Sequence, residues 1–367
     1  MVICSPQLGL APDSVLGGEV FDRQILLGLA KHGIKVEIIL PKSKPHDRNI
    51  KNWHFSYLPI SHFPAILGNI LVIPYLFKVH YEAKFSILRI HQPQFLGLGA
   101  LIFKIFNPKV KTLAIFHQFR EANFMFLSHL VNKSWDFVIA DSYSVKRKLI
   151  KAYNIKPAKI EVVHNGVPSY LSPTSKNNFL EKSLKIQNKV VWMYMGFFDY
   201  RKNPIFLLDV LAKFKESDSI ILIFWGKGPL EGKIRSRAKE LGILNRIRIQ
   251  KPVFGKEKNK IHNLADIFVH PSTDEGFALA PLEAMSCAKP VVMTDSYSAR
   301  EAVDDSTNGF LCRQNDPDDW KKKLSILSSS RSKRIQMGKA ALLKVKKEFQ
   351  WDISVRKHIR VFKYLSE

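Results

Sequence analysis

A pair of carboxylates gives the strongest chemical signal, because seven residues separate Glu275 and Glu283 across the start of a predicted helix. Glu275 lies in the loop that enters the helix, and Glu283 lies roughly one turn inside it. A helix N-terminus offers unpaired N–H groups and a positive dipole, which suit a diphosphate. A carboxylate one turn farther on can accept hydrogen bonds from ribose hydroxyls, and Gly276 permits close approach of a ligand. The alternative is an ordinary amphipathic helix with two glutamates.

Alternating strands and helices surround this pair along most of the chain, which is typical of parallel, doubly wound sheets. A short strand ends at Cys4, and a helix over Glu19–Lys31 is closed by Gly33. Further strands are predicted at Ile34–Leu40, Phe85–Ile90, Thr112–Phe116, Phe137–Ala140, Ile160–His164, Val190–Met195, Ile220–Trp225, Ile247–Gln250, Ile267–His270 and Pro290–Thr294.

The domain organisation follows from a break in this alternation. We predict a Rossmann-like domain over 1–170, a linker rich in Ser, Asn, Lys and Pro over 171–188, a second Rossmann-like domain over 189–345, and a helix over 346–367 that packs back on the first domain. Such sheets bind ligands at the carboxyl ends of their strands, so we expect the active site in a cleft between two facing domains.

Composition narrows the partners. The 367 residues carry a net charge of +25 with 46% hydrophobic residues, which indicates a globular protein that attracts anions such as phosphorylated substrates, acidic membranes or nucleic acid. Three scattered cysteines argue against disulfides and zinc, and the absence of an HxxxH pattern argues against a metal site. Because Met1–Cys4 is already predicted as strand, we expect no signal peptide and a cytoplasmic location.

Several other short motifs lie along the chain, before and after this pair of carboxylates. They are Gly17-Gly18-Glu19, His91-Gln92-Pro93, Phe116-His117, Asp141–Ser144, Val163–Pro168, Met195-Gly196 with Lys202, Gly226–Leu230, Glu275–Glu283 and Lys289–Val292. Together they resemble the retaining GT-B glycosyltransferases of glycosyltransferase family four, also called glycosyl transferases group 1. The resemblance covers nearly the whole chain.

The resemblance implies an α/β GT-B fold and transfer of a hexose from a nucleoside-diphosphate sugar to a glycan or a lipid-linked acceptor. It implies transfer on one face of the sugar with no enzyme nucleophile, the departing phosphate assisting the incoming hydroxyl. No cofactor and no metal ion are expected. A GT-B sugar phosphorylase, a nucleotide-sugar epimerase, and a non-catalytic basic protein that binds nucleic acid or membrane are the alternatives. No zinc pattern or RNA-binding motif supports nucleic acid as a partner.

Residue roles also come from the resemblance. His117 and Glu275 would be catalytic, both near the donor sugar; Glu283 would bind the ribose, and Lys202 would neutralise the diphosphate. The other predicted donor contacts are Gly17, Gly18, Arg201, Gly226, Val253, Gly276, Phe277, Ala278 and Leu279.

One position departs from the family pattern. Relatives usually carry arginine directly after the glycine of Met195-Gly196, where this chain has Phe197. Arg201 could replace the lost cation, but we expect neighbouring side chains at Arg201 and Lys202 to point in different directions.

A membrane surface is the remaining predicted partner. Bases at Lys42, Lys44 and Arg48 precede the apolar run Phe63–Leu67, and Phe77-Lys78 follows it. Apolar residues flanked by bases are typical of an interfacial segment, which would place the protein peripherally on the inner face of the membrane. The alternative is that Ile66–Val79 forms a core helix of the first domain.

Overall fold

The computed structural model describes residues 1–14, 17–60, 67–91, 93–117, 125–214 and 219–367. Gln92 of the predicted motif and residues 63–66 of the predicted interfacial run lie outside these ranges. The chain forms two compact units: unit 1 combines Met1–Gly166 with Trp351–Glu367, and unit 2 is Val167–Gln350.

Unit 1 contains a parallel sheet that has seven strands within its described residues, in the order β3-β2-β1-β4-β5-β6-β7. The strands are β1 (Val2–Cys4), β2 (Lys35–Pro41), β3 (Trp53–Leu58), β4 (Ile87–His91), β5 (Lys111–Phe116), β6 (Phe137–Ala140) and β7 (Ile160–Val162). The α-helices are α1 (Gly17–Lys31), α2 (Leu67–Ala83), α3 (Pro93–Phe106), α4 (Met125–Lys133) and α5 (Tyr143–Tyr153), with the C-terminal helix Trp351–Ser366, numbered α14 in chain order.

Unit 2 repeats this plan with six strands in its described part, in the order β10-β9-β8-β11-β12-β13. The strands are β8 (Val190–Met195), β9 (Ile220–Trp225), β10 (Ile247–Gln250), β11 (Ile267–His270), β12 (Val291–Thr294) and β13 (Gly309–Cys312). The helices are α6 (Asn178–Ser183), α7 (Phe206–Ala212), α8 (Glu231–Glu240), α9 (Glu257–Leu264), α10 (Leu279–Ser286), α11 (Ala299–Ala302), α12 (Pro317–Ser329) and α13 (Arg331–Glu348).

Both sheets are buried on their two faces, as parallel sheets require. In β5, Leu113 and Ile115 join one core cluster while Ala114 and Phe116 join the other. Alternate residues of β8 divide in the same way between the two cores of unit 2. The predicted class of two Rossmann-like, doubly wound parallel sheets is confirmed.

The boundaries in the structure differ from the predicted ones. The predicted linker over 171–188 belongs to unit 2 and contains α6, whose first turn Asn177 caps by accepting from the Leu180 amide. The predicted terminal helix over 346–367 is divided, because α13 continues to Glu348 and α14 begins at Trp351. α14 packs on α1 through Val355, which lies against Gly28. A side chain at Gly28 would collide with Val355, so this glycine permits close helix packing.

The strand order identifies where each unit gathers polar side chains. The order reverses between β1 and β4 in unit 1 and between β8 and β11 in unit 2. Segments that leave the carboxyl ends of these strands flank the crevice where doubly wound sheets bind ligands. His91 ends β4, and Gly196 and Pro271 follow β8 and β11.

Candidate active site

Glu275 is the centre of a charged cluster in unit 2. Lys202 Nζ contacts its Oε1 atom, and Arg201 Nη1 lies 3.0 Å from its Oε2 atom. Ser272 Oγ donates to Oε1 at 3.0 Å, and His270 Nε2 lies 3.5 Å away. Two loops therefore converge on one carboxylate, one after β8 and one after β11.

The electrostatics keep this carboxylate ionised. Burial of the Glu275 side chain opposes ionisation, but Lys202, His270 and Arg201 hold the pKa of Glu275 well below its usual range. Burial lowers the pKa of His270, so this imidazole is neutral at pH 7. The cluster therefore has one anion and two cations, a net positive charge at the carboxyl edge of the sheet.

Backbone packing fixes the loop that carries the cations. A side chain at Gly226 would come within 1.9 Å of the Gly196 carbonyl oxygen, so only glycine lets these two loops meet. The Phe198 amide donates to Lys227 O at 2.9 Å, and the Leu230 amide donates to Phe198 O at 3.1 Å. Gly226 therefore has a structural role in addition to the predicted donor contact.

Arg201 and Lys202 do not diverge, and that expectation is wrong. Both side chains reach Glu275 because Asp199 accepts from the Lys202 amide at 2.8 Å and turns the chain there. Phe197 is 45% exposed and has no charged group to offer. The structure therefore brings Arg201 into the position of a second cation beside Lys202.

Glu283 is buried on α10 and is held by one cation and one imidazole. Lys258 Nζ lies 2.7 Å from Oε1 and 3.0 Å from Oε2, and His262 Nε2 lies 3.4 Å from Oε2. Burial alone would raise the pKa of Glu283, but Lys258 and His262 lower it to about 2. The group predicted to bind the ribose is therefore an ionised hydrogen-bond acceptor.

The loop between the two carboxylates leads into α10 with few exposed side chains. Gly276 and Phe277 are buried, and the Phe277 ring packs on Phe349 at 5.4 Å between centroids. Ala278 and Leu279, at the helix start, are half-buried. A small pocket opens beside this loop, and its lining includes His270, Ser272, Glu275, Phe277, Ala278 and Thr294. Val253, after β10, is half-buried against the core of unit 2.

In unit 1, Gly17 and Gly18 form the start of α1, and their backbone is at least partly accessible. Glu19 secures the preceding loop, since its carboxylate accepts from the Ala11 amide at 2.7 Å and from Ser14 Oγ at 2.5 Å. Glu19 also lies where a side chain at Gly9 would be placed. Glu19, two residues from Gly17, thus ties the start of α1 to residues 11 and 14.

His117 directly follows β5 and is mostly buried. Its ring meets the Phe21 ring at 4.3 Å and the His91 ring at 4.8 Å between centroids, both edge-to-face. Its Nδ1 atom lies 3.8 Å from Asp141 Oδ2. Burial first, and then the neighbouring His91, lowers the pKa of His117 well below its usual value, so the imidazole is neutral at pH 7.

Asp22 lies beneath this histidine and is fully buried. It receives a charge-assisted bond from Arg89 Nη2, and His91 Nδ1 lies 2.6 Å from its other oxygen. Asp22, His91 and His117 bring one potential ligand atom each within 4.8 Å of one another, the spacing of a metal site. Arg89 already neutralises Asp22, which makes this donor set a poor match for a divalent cation.

The residues that hold these groups without having been predicted for the site include Asp22, Arg89, Lys258 and His262. Lys258 and His262 are four residues apart on α9, a spacing that places both on one helix face. That spacing is a weak signal, because it does not say which carboxylate the face meets. No sequence signal connects Asp22 with Arg89.

Comparison with known proteins places these residues in a family. The profile described as "Glycosyltransferase Family 4" matches residues 15–169, and the profile "Glycosyl transferases group 1" matches residues 175–344. The chain belongs to glycosyltransferase family four. The family resemblance expected from the motifs is confirmed by these two matches, one for each half of the chain.

Curated relatives of the family are moderately similar. The D-inositol 3-phosphate glycosyltransferase of Streptosporangium roseum is 29% identical over 201 residues, 52% of this chain and 46% of that protein. The O-antigen chain mannosyltransferase RfbU of Salmonella typhimurium is 28% identical over 211 residues, 56% of this chain and 54% of that protein. The chain spans about half the length of the curated relatives it matches.

Solved structures share the GT-B fold at lower identity. HepE from Anabaena, in complex with UDP and glucose, has a TM-score of 0.83 at 18% identity and covers 99% of this chain and 100% of its own. Sucrose-phosphate synthase from Thermosynechococcus elongatus has a TM-score of 0.81 at 16% identity, with 99% and 98% covered. Among the helices in the described ranges, none has the length and apolar composition needed to cross a membrane.

Proposed function

We propose that this family member is a retaining glycosyltransferase that moves a hexose from a nucleoside-diphosphate sugar to a glycan or lipid-linked acceptor. The observation that carries the proposal is the convergence of Lys202 and Arg201 on Glu275 at the carboxyl edge of the second sheet. HepE is a structural neighbour in complex with UDP and with UDP-glucose, which supports a nucleoside diphosphate as the common part of the donor.

The proposed chemistry needs charge more than a nucleophile. The bond between the anomeric carbon and the phosphate oxygen breaks, and the acceptor oxygen forms its bond on the same face of the sugar. The acceptor proton passes to the departing phosphate. Negative charge grows on the diphosphate during this step, so Lys202, Arg201 and the N–H groups at the start of α10 would stabilise the transition state more than the bound donor.

Glu275 has two tasks in this scheme. It holds both cations in place before the donor binds, and its remaining acceptor capacity would bind hydroxyls of the donor sugar. Glu283 would accept from the ribose, while His117 in unit 1 and the backbone of Gly17 and Gly18 are proposed to contact the donor sugar and its phosphates. Orientation of the reactants is then the enzyme's other contribution.

A panel of UDP-, GDP- and ADP-sugars tests the proposal. Saturation-transfer NMR would detect binding of the donor, and mass spectrometry would detect sugar transferred to glycan or lipid acceptors. We expect one nucleotide class to bind and to yield a glycoside with the donor's anomeric configuration. Inversion of configuration would refute the retaining mechanism, and release of sugar phosphate or of an epimer would favour a phosphorylase or an epimerase.

We also propose that unit 1 contacts an anionic membrane peripherally from the cytoplasmic side. Helix α2 buries Val72 and Leu76 in the core, as the alternative interpretation expected, but its other side exposes Phe77 and Tyr81. Phe106, at the end of α3, is 70% exposed and lies 6.0 Å from Phe77 between ring centroids. We call Phe77, Tyr81 and Phe106 the aromatic patch.

Bases accompany the aromatic patch. Lys78 is exposed on α2, and Lys84 Nζ lies 5.0 Å from the Tyr81 ring centroid. Each base near an anionic surface contributes about 1 kcal/mol to binding. We expect co-sedimentation with anionic vesicles that weakens with salt and is lost in the Phe77→Ser/Phe106→Ser variant. Phe179→Ser, at an aromatic residue of unit 2 that is 78% exposed, is the control. Equal sedimentation of both variants would refute contact through the patch.

A further inference from the structure

The buried cluster beneath His117 has more polar groups than the proposed reaction uses. Phe21 and Asp22 are neighbours on α1, and together they define the surroundings of His117: Phe21 packs on its ring, and Asp22 holds His91, which packs on it from another side. Asp22, Arg89 and His91 are each no more than 4% exposed. Such groups are costly to bury, so their retention beside one histidine calls for a physical reason.

The protonation pattern follows from donor and acceptor chemistry. A carboxylate accepts hydrogen bonds, so the 2.6 Å separation of His91 Nδ1 and Asp22 Oδ2 favours a proton of His91 on Nδ1. Burial opposes the charge on Asp22, but Arg89 and His91 hold the pKa of Asp22 far below its usual range, so the anion persists at all working pH values. Arg89 is itself braced by Ser5 Oγ at 3.2 Å. Asp22, held in place by Arg89, therefore selects the tautomer of His91.

Two ring nitrogens of the cluster are available for a further hydrogen bond. The Nε2 atoms of His91 and His117 are buried and have no hydrogen-bond partner among the described residues. The ring of His117 is clamped edge-to-face at 82° to that of His91, so a change in the orientation of His91 would move His117. A histidine held this way can offer one defined nitrogen to a hydroxyl.

We propose that Asp22 is a positioning residue that acts through His91 to fix the orientation of the catalytic His117. The inference rests on the proposed function for the role of His117, but the Asp22–His91 arrangement is a property of the free protein. Buried carboxylates orient histidines in other catalytic sites by accepting a hydrogen bond from the ring N–H. The Arg89 guanidinium neutralises the Asp22 carboxylate, which allows Asp22 to remain buried.

The alternative role for Asp22, His91 and His117 is to bind a metal ion. The Arg89 guanidinium on Asp22 argues against it, because a second cation would be repelled. The two uses predict different responses to added Zn²⁺.

The first test uses the unmodified, ligand-free protein. Histidine ¹⁵N spectra, assigned by difference with His91→Phe, report which nitrogen carries the proton. We expect His91 protonated on Nδ1 and a spectrum unchanged by stoichiometric Zn²⁺. A His91 protonated only on Nε2, or perturbation of these three residues by Zn²⁺, would overturn the proposal.

The second test is His91→Phe, which keeps the Asp22–Arg89 pair and an aromatic ring against His117. The groups that face His117 are Asp22 on α1, Arg89 and His91 on β4, Asp141 after β6, and His358 on α14. Loss of His91 removes a group that lowers the pKa of His117 and leaves Asp22 to raise it. We expect the NMR titration midpoint of His117, and the acid limb of kcat, to move to higher pH.

Activity supplies the third readout. We expect Asp22→Asn to lower kcat about tenfold, or ~1.4 kcal/mol, with donor KM unchanged, and Asp22→Glu to recover part of the loss. His80→Phe removes a histidine from unit 1 outside this cluster and is the control, and thermal unfolding checks each fold. An unshifted His117 titration in folded His91→Phe would refute positioning. Normal shifts in a protein that transfers no sugar would refute the proposed function instead.

Discussion

Glu275 and Glu283 lie on one segment of unit 2, yet they are held in different ways. The cations of Glu275 come from a loop after β8, more than 70 residues away in sequence, and are partly exposed. Glu283 instead meets one cation, the partly exposed Lys258, and the fully buried imidazole of His262, both on one face of α9. Glu275 has two cations, so one of them can turn to another anion, whereas Glu283 has a single cation and would be left uncompensated without it. The difference suggests that the first site serves a changing charge and the second a constant one.

The largest expected effect is on turnover at the first site. Glu275→Gln keeps the shape but removes the anion that aligns Lys202 and Arg201, so kcat should fall about 100-fold or more while donor Kd changes less than fivefold. Single-turnover kinetics and isothermal titration would separate the two quantities. A Kd that rises as much as kcat falls would make Glu275 a binding residue like Glu283, and the two carboxylates would then not differ in role.

Removal of either cation is expected to have the next largest effect. Because Arg201 and Lys202 reach the same carboxylate, Arg201→Ala and Lys202→Ala should each lower kcat/KM by about 10- to 100-fold. Arg235→Ala, in an exposed pair on α8, is the control. Phe197→Arg should tighten nucleoside-diphosphate binding. If Arg201→Ala behaves like the Arg235 control, Arg201 has not replaced the missing arginine.

At the second site the expected effect is on donor binding. Glu283→Ala removes an ionised acceptor, so donor Kd should rise about tenfold with little change in kcat at saturating donor. Titration of the nucleoside diphosphate alone measures this directly. An unchanged Kd in a folded variant would take Glu283 out of the ribose site.

Acid stability distinguishes the second site further. The pKa of Glu283 is about 2 in the folded protein and near 4.5 when unfolded, so its ionisation stabilises the fold above pH 4.5 and the benefit is lost as the pH falls toward 2. Lys258→Met removes the main cause of the low pKa, so acid unfolding should begin at a higher pH. Lys260→Met, exposed on the same helix, should leave the midpoint where it is. Coincident curves for both variants would contradict the assignment.

The smallest expected effect is that of a chelator. Since Lys202, Arg201 and the start of α10 supply the positive charge, we predict full activity in EDTA. Loss of activity that Mg²⁺ or Mn²⁺ restores would mean that a cation assists the diphosphate, and would reopen the roles of both carboxylates.

Much of the fold was predictable because its signals are local. Strands such as Val190–Met195 and Ile220–Trp225 were placed to the residue, since apolar runs between helical segments are typical of buried parallel strands. Two edge strands, Trp53–Leu58 and Gly309–Cys312, were missed. An edge strand has one neighbour, and the first of these mixes polar and apolar residues, so its pairing with β2 rather than its composition makes it a strand.

The candidate site likewise has features that were predictable from local sequence and contacts that were not. The sequence by itself determined the spacing of Glu275 and Glu283 and the placement of Lys202 after a strand, because those features depend only on neighbours along the chain. Only the tertiary structure decided that Arg201 joins Lys202, that Lys258 meets Glu283 and that Arg89 meets Asp22. The reason is physical: a buried charge needs a partner, and the order of strands in a sheet, which sequence spacing does not encode, selects that partner from distant segments.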